Sequence, residues 1–390
     1  MRIGVNCFLL QASIGGLKQY FQTLFRELLA SDSENEYVFF YFEHNVTELE
    51  AMGNDRWREN AIRLDDQLEV QKHLDKIDLY FCPFGALWPI PLPLPTVVTI
   101  VDVQEKYYPE FFSSMDHWNR DYYYYGSSHQ ADAVITISEF SKQSIVRFHR
   151  VSPKKIHVVY LSVDPRYIQA AGIERPLGQQ LPEKFVFYPS NHWKHKNHEC
   201  LLNALQIIKR ERQIDIPVIF TGFGQQNGYP LQDKIQEMGI CATTLEFVSV
   251  EQMIYLYRRA KLLCFPSLFE GFGIPLVEAM CTGCPIVCAN TSSVPEVVGD
   301  AAALFDPRDP RDCAAKILAV WTDSSLQKEL TAKGYQQAQK FTSSKLAQGH
   351  LAVFRVAHND FSFIRYLKNK LLFNPMHNAR LKQRMPQSSS

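Results

Sequence analysis

The stretch that decides the fold runs from Lys261 to Pro307. It opens on Lys261-Leu262-Leu263-Cys264-Phe265, breaks at Pro266-Ser267, and continues Leu268-Phe269-Glu270-Gly271-Phe272-Gly273-Ile274-Pro275. A short helical run carrying Glu278 and Met280 follows. Next come a turn at Gly283, an apolar strand Ile286-Val287-Cys288 and the loop Thr291-Ser292-Ser293-Val294-Pro295-Glu296. Strand, glycine-rich loop, helix, strand is an α/β arrangement in which amides at a helix start hold an anion. Two carboxylates, Glu270 and Glu278, flank that helix start with seven residues between them.

Working outward, 390 residues exceed one ordinary core and predict two domains. Hydrophobic content of 46% with zero formal net charge is that of a folded globular chain. Such a balance gives no global field to attract nucleic acid, and none is expected as a partner. The nine cysteines are scattered and odd in number, which predicts reduced thiols. Cys281-Thr-Gly-Cys284 has no second such pair, so it reads as small buried side chains rather than half a metal site. Met1 to Asn6 reads as a strand start, not a signal peptide. No apolar run approaches the ~20 residues of a membrane span. The expectation is a cytoplasmic protein, with at most peripheral contact at the inner face of a membrane.

Before the deciding stretch, strands are expected at Arg2–Phe8, Tyr37–Phe42, Ile77–Cys82, Thr96–Val101, Ala133–Ile137 and Ile156–Tyr160, alternating with helices. The loop Ser13-Ile14-Gly15-Gly16-Leu17 joins the first strand to the first helix. The fourth strand ends at Asp102, and in open α/β sheets the carboxyl ends of strands face the ligand. The aromatic tract Tyr107, Tyr108, Phe111, Phe112, Trp118 and Tyr122 to Tyr125 can stack on an acceptor, but reads first as core packing. Periodicity fades between Asp164 and Glu183, which marks a linker.

The second half opens at Phe185-Val186-Phe187-Tyr188, followed by Pro189-Ser190-Asn191-His192-Trp193-Lys194-His195-Lys196-Asn197-His198. Three histidines three apart suggest zinc, but two interleaved lysines repel a dication, and an anion or hydroxyl site is preferred. Val218 to Phe220 closes on Thr221-Gly222-Phe223-Gly224, which is not the GxGxxG fingerprint of a dinucleotide fold. A strand is expected at Leu245–Val248. The segment Leu346–Phe373 reads as one basic amphipathic helix with Phe354, Phe361, Ile364, Leu367 and Leu371 on one side. It can lie on an anionic membrane or pack back across the domain boundary as a strap, and the strap is preferred.

The block Pro266-Ser267-Leu-Phe-Glu270-Gly271-Phe272-Gly273-Ile274-Pro275-Leu-Val-Glu278-Ala279-Met280, then Gly283-Cys-Pro285 and Pro295-Glu296-Val-Val-Gly299-Asp300, resembles the signature of family 4 glycosyltransferases. The resemblance implies a GT-B fold, α/β, with two Rossmann-like doubly wound domains and a cleft between them. It places an acceptor-side domain at 1–170, rejoined by a C-terminal helix at about 350–373. A nucleotide-sugar donor domain would occupy 183–349, and a disordered tail 374–390.

By resemblance, Lys196 holds the donor diphosphate, Glu270 sits beside the transferring sugar, and Gly271, Phe272, Gly273 and Ile274 offer backbone amides. Glu278 accepts from ribose hydroxyls. Gly15, Gly16, Asn191, His195 and Gly222 are further substrate-binding candidates, and Asp102 joins Glu270 and Lys196 as catalytic. His195-Lys196-Asn197-His198 resembles a subgroup rich in mannosyltransferases of polysaccharide and O-antigen assembly, which points to GDP-mannose. Two positions depart from the family. Val101 stands where a histidine is common, and Ser190-Asn191 replace a common arginine, for which His192, Lys194 or Lys18 can substitute.

The implied reaction moves a hexose from a nucleotide-sugar to a saccharide or lipid-linked acceptor with retention. No cofactor or metal is expected, since no Asp-x-Asp motif occurs. Two other readings share the donor: a 2-epimerase-like isomerase, and a non-catalytic nucleotide-sugar binding protein.

Overall fold

The computed structural model describes residues 1–11, 15–169, 172, 175–178, 180–222, 229–246 and 248–373. The expectations falling on Ser13, Ile14, Phe223, Gly224 and the tail from Asn374 lie outside those residues. The chain forms two compact units, Met1–Ser162 with the chain from Ser343, and Val163–Thr342. The sequence reading drew its break later, within 164–183; the short helix Pro165–Ile168 already belongs to the second unit.

The first unit carries a seven-stranded sheet: β1 (Arg2–Asn6), β2 (Glu36–Tyr41), β3 (Ala61–Arg63), β4 (Leu79–Cys82), β5 (Thr96–Thr99), β6 (Ala133–Thr136) and β7 (Ile156–Val158). The second carries six strands: β8 (Val186–Pro189), β9 (Val218–Thr221), β10 (Ala242–Leu245), β11 (Leu262–Phe265), β12 (Ile286–Ala289) and β13 (Ala302–Phe305). Every pairing is parallel. β4, β5, β6, β8, β9, β11 and β12 are buried along their whole length. Continuous apolar, β-branched or aromatic runs of this kind suit a sheet covered by helices on both faces.

The strand orders are β3-β2-β1-β4-β5-β6-β7 and β10-β9-β8-β11-β12-β13. In each sheet the chain builds outward from its first strand, then jumps back across it. The switch points lie between β1 and β4, and between β8 and β11. Loops leaving the carboxyl ends of those strands diverge to opposite sides and open a crevice, the usual ligand seat of such sheets.

Three sequence expectations are corrected. Pairing with β9 sets the outer strand of the second sheet at Ala242–Leu245, not Leu245–Val248. β3 was not anticipated, being only three residues long. The C-terminal segment is not one helix: Ser343–Asn359 ends before Asp360, and a second helix, Phe363–Lys368, starts on Ser362, whose side chain accepts from the Arg365 amide.

The Ser343–Asn359 helix is part of the first unit's core. Phe354 is fully buried and meets the Phe81 ring edge-on at 5.0 Å. His350, also fully buried, lies with Nε2 2.6 Å from Tyr20 Oη, which in turn is 2.9 Å from Thr99 Oγ1. Its Nδ1 is 2.8 Å from the Leu346 carbonyl. This buried polar chain ties the first helix, β5 and the returning helix together.

Burial pushes the His350 imidazole from its usual 6.5 down to about 4. The folded state therefore keeps a neutral ring while the unfolded chain takes up a proton. Stability present above pH 6.5 is lost as pH falls towards 4, by about 3 kcal/mol from this one group. His149 and His198, both lowered to about 3 by burial, add loss of the same sign. Denaturant melts across that range should show a shallower fall for His350→Gln than for the wild type.

Candidate active site

The switch point of the second sheet gathers the loops after β8 and β11. After β8 the chain turns through Lys194–Lys196 to Asn197, which sits in the left-handed region at φ 56° and leads into the His198–Arg212 helix. Asparagine tolerates that conformation because its short polar side chain can bond locally. Here Asn197 Nδ2 donates to the carbonyls of Pro266 at 3.0 Å and Pro307 at 2.9 Å. Leu268 N donates to the His195 carbonyl at 2.7 Å, and Tyr188 Oη to the Lys196 carbonyl at 2.6 Å. The two loops are thus joined through their backbones.

Between them Lys196 Nζ meets Glu270 Oε1 at 2.7 Å, with the side chains only 17% and 11% exposed. The loop after β12 fixes the carboxylate's backbone. Ser292 Oγ accepts from Glu270 N at 2.9 Å, and Ser293 Oγ donates to the carbonyls of Glu270 at 2.9 Å and Phe272 at 3.2 Å. Gly271 and Gly273 lie on the same loop, and the helix from Ile274 begins on Gly273 without a side-chain cap. The Phe272 ring is buried against Phe341, so only its backbone is available to a ligand.

Glu278 is buried on that helix, and Tyr257 donates to its Oε2 at 2.8 Å. Gly222, at the end of β9, has φ 120°, and a Cβ there would lie 2.4 Å from the Ser190 carbonyl oxygen. Only glycine lets these backbones approach, and the contact brings Gly222 beside Asn191. His195 is buried, while His198 packs near Tyr229 with both ring nitrogens unpartnered among the described residues. No group of three His, Cys, Asp or Glu side chains among the described residues is placed to hold a metal ion. Cys281 and Cys284 are free thiols, and burial pushes Cys281 up to about 12.

Asp102, Gly15 and Gly16 belong to the first unit. Gly15 caps the Gly16–Ser31 helix at φ 47°. Asp102 Oδ1 accepts from Gln104 N at 3.0 Å and lies 3.8 Å from Arg120 Nη1. Arg120 also bonds the buried Glu105 at 3.1 Å and stacks under Phe112 and Tyr124. Sequence reasoning missed Arg120 and Glu105. The signal was present as one cation inside the aromatic tract.

That tract packs against the first unit's core through Tyr107 and Tyr124, as expected. Apart from exposed Tyr123 its members are half-buried, and Asp121–Tyr125 forms a wide π-helical turn. Such turns are frequent at functional sites. Tyr123 and Tyr124 border a cavity of about 410 Å³ over the switch point of the first sheet. Asn6, Phe8 and Leu9 follow β1, and Phe84, Ala86 and Trp88 follow β4; Arg120, Tyr123 and Tyr124 close the side. Of the cations offered for the missing family arginine, Lys18 is 3.4 Å from Glu48, and His192 is lowered by burial and packs on His198. Lys194 stays exposed.

Comparison with known proteins fits this geometry. The Glycosyltransferase Family 4 model matches residues 14–167, and the Glycosyl transferases group 1 model matches 172–337. The chain belongs to glycosyltransferase family 4. The O-antigen chain mannosyltransferase B of Escherichia coli is 33% identical to this family 4 chain over 219 residues, 54% of it and 57% of the relative. The MMP α-(1→4)-mannosyltransferase of Mycolicibacterium hassiacum is 31% identical over 235 residues, 58% and 55% of the two chains. The chain thus spans little more than half the length of these relatives, and 28% of the serotype-specific mannosyltransferase WbdA of Escherichia coli.

Sucrose-phosphate synthase from Thermosynechococcus elongatus superposes with a TM-score of 0.72 at 16% identity, over 91% of this chain and 98% of that one. HepE from Anabaena, in complex with UDP and glucose, does so at 0.67 and 19%, over 90% and 98%. These likenesses establish the GT-B fold of two Rossmann-like domains.

Replacing Asn197 with Ala removes two side-chain hydrogen bonds and leaves a non-glycine residue at positive φ. The expected cost is about 2–3 kcal/mol, read as a lower melting temperature and earlier proteolysis at the 266–273 loop.

Proposed function

We propose that the chain transfers a hexose from a nucleotide diphosphate sugar to an acceptor hydroxyl with retention, in polysaccharide or glycolipid assembly. The observation that carries this reading is the Lys196–Glu270 pair, 2.7 Å across, held over the switch point of a family 4 second unit. Relatives named as mannosyltransferases favour mannose as the sugar and GDP-mannose as its donor.

Departure of a nucleoside diphosphate builds negative charge on the leaving oxygens, and stabilising it is the main catalytic task. Lys196 supplies a compact point charge, in this reading without a metal. In the structure Glu270 pairs with that charge at 2.7 Å. An arriving diphosphate takes over Lys196, leaving Glu270 to hold the hydroxyls of the sugar. The backbone of Gly271 to Ile274 borders the sugar and phosphates, and Glu278 receives the ribose. No side chain is assigned as a covalent nucleophile, so the acceptor attacks on the face the diphosphate leaves.

The first unit's cavity suits a saccharide or lipid-linked acceptor. Trp88, Tyr123 and Tyr124 offer aromatic faces to apolar ring surfaces, while Asp116, Asn119, Gln67 and Arg120 offer polar contacts to hydroxyls. In this reading the reaction runs in the cytoplasm at the inner face of a membrane.

In thermal-shift screening of nucleotide sugars, GDP-mannose should raise the melting temperature most. With that donor, Lys196→Ala should lower turnover by about a hundredfold or more while still melting cooperatively. Near-normal turnover would sink the assignment, and an epimerised sugar from donor alone would favour the isomerase. Tyr123 is 37% exposed, so Tyr123→Ala should leave stability and donor KM unchanged. Its acceptor KM should rise about fivefold to tenfold, the loss of one stacking contact.

A further inference from the structure

The chain after Asp360 docks by its polar side and shows its apolar side to water. Arg365 pairs with Asp132, whose side chain is only 6% exposed, and also reaches the Asp360 carbonyl at 3.2 Å. One helical turn on, Asn369 donates to the Gln130 carbonyl at 3.5 Å. Phe361, Arg365, Tyr366 and Asn369 border a small crevice with Leu92 and Thr96, which fixes this face against the first unit.

The opposite face carries Phe363, Ile364, Leu367 and Leu371, which are 56%, 69%, 39% and 67% exposed. Positions 364, 367 and 371 recur at helical spacing, so these side chains form one stripe. Scattered exposed apolar residues are ordinary, but a contiguous stripe of four large ones marks an interaction surface. The sequence pattern alone would turn that stripe inward. The Arg365–Asp132 pair holds it outward.

Charge identifies what covers it. Lys368 and Lys370 are exposed beside the stripe. From Phe361 to Ser390 the chain contains Arg365, Lys368, Lys370, Arg380, Lys382 and Arg384, and no Asp or Glu. The whole chain has 41 basic and 41 acidic residues, so this stretch is a local excess. An apolar stripe flanked by cations, on a helix lying along the surface, is the chemistry of interfacial binding to anionic lipid. No helix among the described residues is long and apolar enough to cross a membrane. We propose that the outward face of residues 363–371 seats this protein on the surface of an anionic phospholipid bilayer, with Phe363, Ile364, Leu367 and Leu371 entering the headgroup layer. The proposal stands apart from the transfer reaction.

Flotation of the full chain with phosphatidylcholine vesicles containing about a third phosphatidylglycerol tests it. The wild type should float, and added salt should weaken it. The triple variant Ile364→Glu, Leu367→Glu, Leu371→Glu should partition about tenfold less or weaker still, with its melting temperature unchanged because all three positions are exposed. Lys368→Glu with Lys370→Glu should also float less, as an independent variant that leaves the stripe intact. Failure of the wild type to float, or undiminished flotation of the triple variant, overturns the proposal. So does a wild-type dimer that the triple variant converts to monomer, since a second copy would then cover the stripe.

Discussion

A lysine and a glutamate 2.7 Å apart, largely withdrawn from water, are costly to hold unless the surrounding groups are fixed. The second unit meets that constraint by stitching three loops together before the charges meet. Asn197 clamps the loop after β8 to Pro266 and Pro307, and Leu268 bonds back to His195. Ser292 and Ser293 hold the glutamate's own backbone from the loop after β12. None of these contacts is between charged groups. They set the position of the charges so that little reorganisation remains when a charged ligand arrives, which is where electrostatic catalysis gains its advantage.

The two units use the same strand order and the same switch-point crevice, yet fill it with opposite chemistry. In the second unit the loops at the switch point carry the Lys196–Glu270 pair and the glycines Gly271 and Gly273. In the first the crevice is a cavity walled by aromatic rings, with Arg120 balanced between Asp102 and buried Glu105. A close approach makes room for that wall: a Cβ at Gly85 would lie 2.4 Å from the Tyr124 ring. One topology supplies two crevices, and the loop residues give them different chemistry.

Much of this was legible in the residues because it is local. Continuous apolar runs such as Leu262–Phe265 can only be inner strands, and Glu270, Gly271, Gly273 and Glu278 share one short stretch. Glu105 and Trp88 were not legible, and Arg120 only as a lone cation in the aromatic tract, because their meeting depends on which loops the strand order brings together. The aromatic tract reads as core, which holds for Tyr107 and Tyr124, but ring content alone cannot show that Tyr123 and Tyr124 also border a cavity. The C-terminal helix shows the same limit. Periodicity located the stripe of Ile364, Leu367 and Leu371, but the side facing the protein is set by Asp132, more than two hundred residues away.

Glu278 brings these strands of reasoning to one point. Its carboxylate is buried and already accepts from Tyr257, so its position is set by the protein alone. A carboxylate has about four acceptor positions, and the buried Tyr167 hydroxyl, raised by burial and then by the charge of Glu278, shares this one with Tyr257. Burial raises the Tyr257 hydroxyl well above its usual range, with the charge of Glu278 adding to the effect, so the proton stays on the tyrosine. Tyr257 therefore remains a donor, and the two tyrosines together fix the direction of the carboxylate. The two tyrosines, absent from any motif reading, give the second glutamate of the pair its direction, as Ser292 gives the first its place.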